Sequence, residues 1–267
     1  MRVTSHWRKF LLNLLKSTET SPDQSMNTLF ISDLHLDDSR PETTALLRNF
    51  LTNEASNADA LYILGDLFEF WLGDDVPSQC SLDVADALSR LSDTGVPCYF
   101  MHGNRDFLVQ AHYSNLAGLE LLPAEYKIDL YGEQVLLMHG DSMCTDDIPY
   151  QQFRTMVRNP IWQKEFLARS PQERMQIALQ ARDASAEHKG NVDMQIMDVN
   201  QDEVLDAFKR HDVLKMIHGH THRPATHHLQ LNGQAAQRIV LGDWYDQGSV
   251  LRVKPGSYEL SSLASSE

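Results

Sequence analysis

The 267-residue chain is 42% hydrophobic, long enough to bury one sizeable core or a core with an inserted lid, and this excludes disorder for most of it. A formal charge of -14 sets it against polyanions and excludes duplex nucleic acid as a sequence-independent partner. Cys80, Cys98 and Cys144 are odd in number and outside any C-x-x-C spacing, which argues against a disulfide framework or zinc knuckle and fits a reducing cytoplasm.

Residues 1–25 carry Arg2, Arg8, Lys9 and Lys16 before any acidic residue, with Trp7, Phe10, Leu11, Leu14 and Leu15 at helical spacing. They are read as an N-terminal extension, either disordered or an interfacial helix. No apolar run approaches the roughly 18 to 20 residues that span a bilayer. From residue 26 onward, six short apolar runs at 28–32, 60–64, 97–101, 134–138, 214–217 and 237–241 are closed by polar residues and glycine, as buried strands are. Between the first three lie helical patterns at 42–55, after Pro41, and at 82–91. This alternation predicts an α/β core with a parallel component, and 126–130 with 134–138 predicts a hairpin. Residues 145–199 interrupt the alternation with helical patterns, one starting at Ser170-Pro171-Gln172-Glu173. The expected organisation is a core from 26–144 and 200–262 with an inserted helical lid at 145–199.

The chemistry sits after the strands. Asp33-Leu34-His35, Gly65-Asp66, Gly103-Asn104-Arg105-Asp106, His139-Gly140-Asp141 and His218-Gly219-His220 follow five runs in turn. The carboxyl ends of strands in an open α/β sheet line its site crevice, so these groups can converge. Imidazole, carboxylate and amide carbonyl together suit a pair of Mn or Fe ions, with Zn possible. Two cations need a bridging anion, and Asp66 is the candidate. Asp33, His35 and His220 would complete one metal and Asn104, His139 and His218 the other, on the expectation that residues two apart in extended chain face the same way. Asp37-Asp38 and Asp74-Asp75 are read as solvated loop carboxylates, and Asp243 as either a turn residue or a support behind the ligands.

The order D-x-H, G-D, G-N, H-G-D, G-H-x-H resembles the calcineurin-like metallophosphoesterase superfamily. Most members carry His after Gly-Asn, where this chain has Arg105. With Leu64-Gly65-Asp66-Leu67-Phe68-Glu69, Cys144-Thr145-Asp146-Asp147 and Ile217-His218-Gly219-His220-Thr221-His222-Arg223-Pro224, the chain from about residue 26 to 260 is similar to the UDP-2,3-diacylglucosamine pyrophosphohydrolase family of lipid A synthesis. The resemblance implies a fold of mixed sheets flanked by helices with the metal site at the strand ends, usually holding Mn. It implies cleavage of UDP-2,3-diacylglucosamine to UMP and 2,3-diacylglucosamine 1-phosphate, by a monomer peripheral to the cytoplasmic face of the inner membrane. It also implies substrate contacts at Asn104, Arg105, Asp147, Ser185 and His218. Tyr150 and Arg182 match family positions but could equally be lid packing. Lys189 and Val192 depart from the family's Asn and Lys, so Lys189 is a candidate replacement contact.

Arg105 is the candidate guanidinium for a phosphate oxygen, and His218 and His222 are candidate leaving-group acids. The lid's Phe153, Met156, Val157, Ile161, Trp162, Phe166, Leu167, Met175, Ile177 and Leu179 either cover acyl chains or form the lid's own core. The competing expectation is a phosphoesterase for a soluble nucleotide or phosphodiester.

Overall fold

The computed structural model describes residues 26–191, 198–245 and 247–263, with the side chains of 184–191 excepted. The extension at 1–25 and Val192 lie outside them, as do the side chains of Ser185 and Lys189. Among the described residues eleven strands form two sheets. In the first, β1 (Thr28–Ile31), β2 (Ala60–Leu64), β3 (Cys98–Met101) and β4 (Leu119–Leu122) run parallel. The antiparallel pair β10 (Ser249–Lys254) and β11 (Ser257–Ser262) extends the sheet from β1. The second contains β5 (Glu125–Leu130), β6 (Glu133–Met138), β7 (Lys215–His218), β8 (Ala225–Leu231) and β9 (Gln234–Val240), in the order β5-β6-β7-β9-β8. Here β6, β7 and β9 are parallel, and the edge strands β5 and β8 are antiparallel.

Alternation along the strands explains the layering, because successive side chains leave opposite faces. Phe30, Leu64, Met101 and Leu251 of the first sheet meet Val135, Leu137, Ile217 and Ile239 of the second in a core between the sheets. Leu29, Ile31, Leu61, Ile63 and Phe100 point the other way, onto helices α1 (Pro41–Asn53), α2 (Gln79–Asp93) and α3 (Ala111–Leu116). On the far side α7 (Gln201–His211) lays Val204, Ala207 and Phe208 over Leu136, Met138 and Met216. The architecture is helix, sheet, sheet, helix, and both parallel sets are covered on both faces, as such strands require.

Between β6 and α7 the chain forms α4 (Ile148–Val157), α5 (Pro160–Leu167) and α6 (Pro171–Asn191). α6 opens with a reciprocal cap: Glu173 N–H donates to Ser170 Oγ, and Ser170 N–H donates to Glu173 Oε2. Phe166 is buried, and Trp162, Leu167 and Ile177 pack against the helix-covered core. Asp75 is the expected exposed loop carboxylate, its side chain 61% accessible, yet both it and Asp74 are tied to the fold. Asp75 takes both terminal nitrogens of Arg174, itself 2% exposed, at 2.7 and 2.5 Å. Asp74 accepts from Trp71 Nε1 and from the N–H groups of Gln110 and Tyr113. A buried guanidinium needs a paired anion, and α6 is held to the core by one.

Candidate metal centre

The ends of β1, β2, β3, β6 and β7 bring one set of ligand atoms to a common point, and each ligand is aimed by a bond from its other atom. Asp33 Oδ2 accepts from Ser32 Oγ at 2.6 Å and His220 N at 2.9 Å, which leaves Oδ1, buried and without a hydrogen bond, facing the cluster. Asp66 Oδ1 accepts from Arg105 N at 2.8 Å, which frees Oδ2. His139 Nδ1 donates to Leu64 O at 2.8 Å, so its Nε2 faces inward, 3.0 Å from Asn104 Oδ1. His220 Nδ1 lies 2.9 Å from the same amide oxygen. His35 Nδ1 is 3.0 Å from Glu69 Oε2, and its Nε2 is 3.2 Å from His222 Nε2. His222 Nδ1 in turn sits 3.3 Å from Asp243 Oδ2. Metal-bound imidazoles are supported in this way, the second nitrogen held by a carboxylate or a carbonyl.

Two constellations emerge. Asp33, His35 and His222 place ligand atoms within 4.8 Å of one another, as do Asp33, Asp66 and His139. Asp66 Oδ2 lies 3.8 Å from both His35 Nε2 and His139 Nε2, between the two halves. The residues fit divalent cations: Asp33 Oδ1 is buried without a hydrogen bond, and the inward imidazole nitrogens meet only other members of the cluster, His222 Nε2 lying 3.2 Å from that oxygen.

The backbone is shaped for this convergence. Asp33, His35, Asp66, His220 and His222 all have φ between 50° and 70°, the left-handed region that costs a residue with a Cβ free energy and clusters at functional sites. Gly103 and Gly219 let chains pass where a Cβ would strike Asp66 and Asp33.

The structure corrects one ligand. His218 is fully buried at the end of β7, with Nδ1 on Gly219 O at 2.8 Å and Nε2 on Arg238 Nη1 at 3.0 Å, so neither nitrogen is available to metal, substrate or leaving group. Burial, with Arg238 beside it, pushes its pKa down to about 3, which keeps it neutral. His222 stands beside Asp33 and His35, where His220 was expected, and His220 stands beside Asn104 and His139, where His218 was expected. Alternation failed because the chain leaves extended geometry after β7, so His220 and His222 share the inward side through two left-handed residues. For His222 burial works downward, but Asp243 and Asp33 outweigh it and raise the pKa to about 10. For Asp33 burial works upward, yet His222, His139 and His35 hold it below the carboxylate range.

The other expected residues separate into two groups. Arg105 and Arg182 stand at the mouth, 4.0 and 3.5 Å from Glu69 Oε1. Tyr150 stacks on His220, ring centres 6.0 Å apart, and donates to Asp141 Oδ2 at 2.9 Å. Asp147 caps α4, accepting from Tyr150 N at 3.0 Å, and is buried. Sequence reasoning assigned no role to Glu69 or Asp141, although both stood in quoted motifs. It also missed Tyr245, which stacks on His35 at 5.1 Å and has the Arg40 guanidinium 4.7 Å from its ring centre.

The calcineurin-like phosphoesterase family model matches residues 26–224, most of the chain. The chain belongs to this family. Such phosphoesterases depend on divalent metal, and the chain is a metal-dependent hydrolase. Proteins of the same family similar to it include three named UDP-2,3-diacylglucosamine hydrolase. Those of Stenotrophomonas maltophilia strains K279a and R551-3 are 56% and 54% identical to it, the match covering 90% of this chain and 99% of each relative. That of Klebsiella pneumoniae subsp. pneumoniae is 52% identical over 88% of this chain and 98% of its own.

Proposed function

We propose that the chain hydrolyses the pyrophosphate of UDP-2,3-diacylglucosamine to UMP and 2,3-diacylglucosamine 1-phosphate at this centre, as part of lipid A synthesis, with two Mn ions as its metals. The observation that carries the two-metal reading is the Asp66 carboxylate oxygen 3.8 Å from the inward nitrogens of His35 and His139, a position from which one anion serves both halves. Asp33, His35, Asp66 and His222 would hold one cation, and Asp66, Asn104, His139 and His220 the other. Bound there, divalent cations would supply Lewis-acid charge for the phosphoryl oxygens and acidify the attacking water.

The chain's own residues supply the rest. Arg105 is anchored beside Asp66 through its backbone N–H, so its guanidinium is placed to neutralise charge growing on the phosphoryl group. Arg182 offers a second cation from α6, and Tyr150 lines the side next to His220. Ser185 and Lys189, further along α6, are proposed headgroup contacts.

For the lipid part, α4 to α6 expose Ile148, Phe153, Met156, Ile161 and Leu179, and Ile161 is 69% exposed. Such a face suits acyl chains, whereas Val157 and Phe166 are committed to packing. Residues 145–199 then act as a lid on the core of 26–144 and 200–262. No helix among the described residues is long and apolar enough to cross a membrane. The proposal takes the protein as a monomer at the cytoplasmic surface of the inner membrane, these exposed apolar side chains being its contact with lipid.

The test is incubation of purified protein with UDP-2,3-diacylglucosamine and Mn, with release followed by chromatography. UMP and the lipid monophosphate are expected. Hydrolysis of soluble phosphodiesters with no UMP from the lipid substrate would overturn the reading.

A further inference from the structure

Glu69 follows the candidate bridge Asp66 on the loop after β2, is 9% exposed, and reaches three functional groups with one carboxylate. Oε2 lies 3.0 Å from His35 Nδ1, an ion-pair contact between two buried atoms that have no hydrogen bond elsewhere among the described residues. Oε1 faces Arg105 at 4.0 Å and Arg182 at 3.5 Å, one from the loop after β3 and the other from α6. These last two distances are ion-pair separations rather than tight hydrogen bonds, so the guanidinium groups are attracted without being locked.

We propose that Glu69 is a positioning residue that couples metal ligation to substrate capture: one oxygen orients His35 toward the metal, and the other holds Arg105 and Arg182 in wait for an anionic phosphate. The inference rests on the proposed reaction. Three consequences follow from the geometry. The carboxylate stands in for the substrate anion while the site is empty, which keeps two like-charged guanidinium groups side by side at low electrostatic cost. An arriving phosphate carries more charge and several acceptor oxygens, so it draws the arginines off Glu69 without having to order them from solvent. Because Arg182 lies on α6, the same carboxylate ties that helix to the rim of the metal centre until substrate replaces it.

The experiment uses Glu69→Gln, which keeps the shape and loses the charge, and Arg182→Ala, a side chain more than half exposed. Titration of the metal-stripped protein with Mn needs no substrate. Glu69→Gln is expected to weaken Mn binding about 10- to 100-fold, the usual effect of removing the support behind a ligating imidazole. In steady-state assays each single variant is expected to raise KM severalfold. In the double variant the Arg182→Ala effect should largely disappear, because that arginine has already lost its placement. Glu69→Asp, which keeps the charge but is one methylene too short to span all partners, should fall between wild type and Glu69→Gln in both readouts and serves in its place should Glu69→Gln not fold. Wild-type Mn affinity in the variant, or KM effects that multiply independently, would overturn the proposal. Failure of wild-type protein to release UMP would instead count against the reaction, so the two readings fail separately.

Discussion

His218 and His222 are four positions apart, and the difference between them is a matter of which atoms their rings can spare. His222 has one nitrogen braced by Asp243 and the other directed at Asp33 and His35, while both nitrogens of His218 are already used. His222→Ala is therefore expected to lower Mn stoichiometry and turnover together, measured by elemental analysis and by UMP release. His218→Ala is expected to keep its metal but to lose stability by about 1–3 kcal/mol in urea unfolding, because the buried Arg238 guanidinium loses its acceptor. Equal metal loss in the two variants would reverse the ligand assignment. The motif spacing made Asp33, His35, Asp66, Asn104, His139 and His220 legible as candidates. The histidine that completes the set was not legible, because period-two alternation holds only while the strand lasts and β7 ends at His218.

At the level of elements, the attachment of α4 to the core turns on Asp141. Tyr150 Oη and Arg154 Nε both donate to its Oδ2, at 2.9 and 2.7 Å, and Arg158 Nη2 reaches Gly103 O at 2.7 Å. The residue that follows His139-Gly140 thus fastens the helix whose Tyr150 lines the site. Asp141→Asn weakens a charge-assisted contact and is expected to cost roughly 2 kcal/mol in chemical denaturation. It should also speed limited proteolysis within 145–199 more than elsewhere. Uniform protection across the chain would show that α4 does not depend on this carboxylate. The sequence pattern marked β1, β2, β3, β6, β7 and β9 because each contains an apolar run bounded by glycine or polar residues, and β5 as the hairpin partner of β6. It missed β4, β8, β10, β11, α3 and α7. β4 is only four residues long, and the edge strand β11, SYELSS, has no apolar run at all. Such segments take their form from the neighbour they pair with rather than from their own composition.

For the whole molecule the dominant electrostatic fact is a charge of -14, with Asp33, Asp66 and Glu69 buried around one point. Cation binding relieves that repulsion in the folded state only, so it must stabilise the fold by mass action. Mn at about 100 times its dissociation constant is expected to raise the thermal midpoint by roughly 5–10 °C over protein in chelator, read by scanning fluorimetry or calorimetry. A midpoint indifferent to Mn would mean that the cluster does not bind metal. The two sheets matter here because each delivers candidate ligands: Asp33, Asp66 and Asn104 follow strands of the first, and His139, His220 and His222 follow strands of the second. Neither sheet alone assembles a complete set.

The amino-acid sequence by itself determined the α/β alternation, the family and most of the chemically capable side chains, since apolar runs, glycines and ligand types are local properties of the chain. Only the tertiary structure decided which histidines face the cluster, how Glu69 lies between His35 and two arginines, and that Asp75 and Asp141 hold helices. Those outcomes depend on distances between residues far apart in sequence, and such distances exist only once the two sheets have packed and the loops at their carboxyl ends have bent.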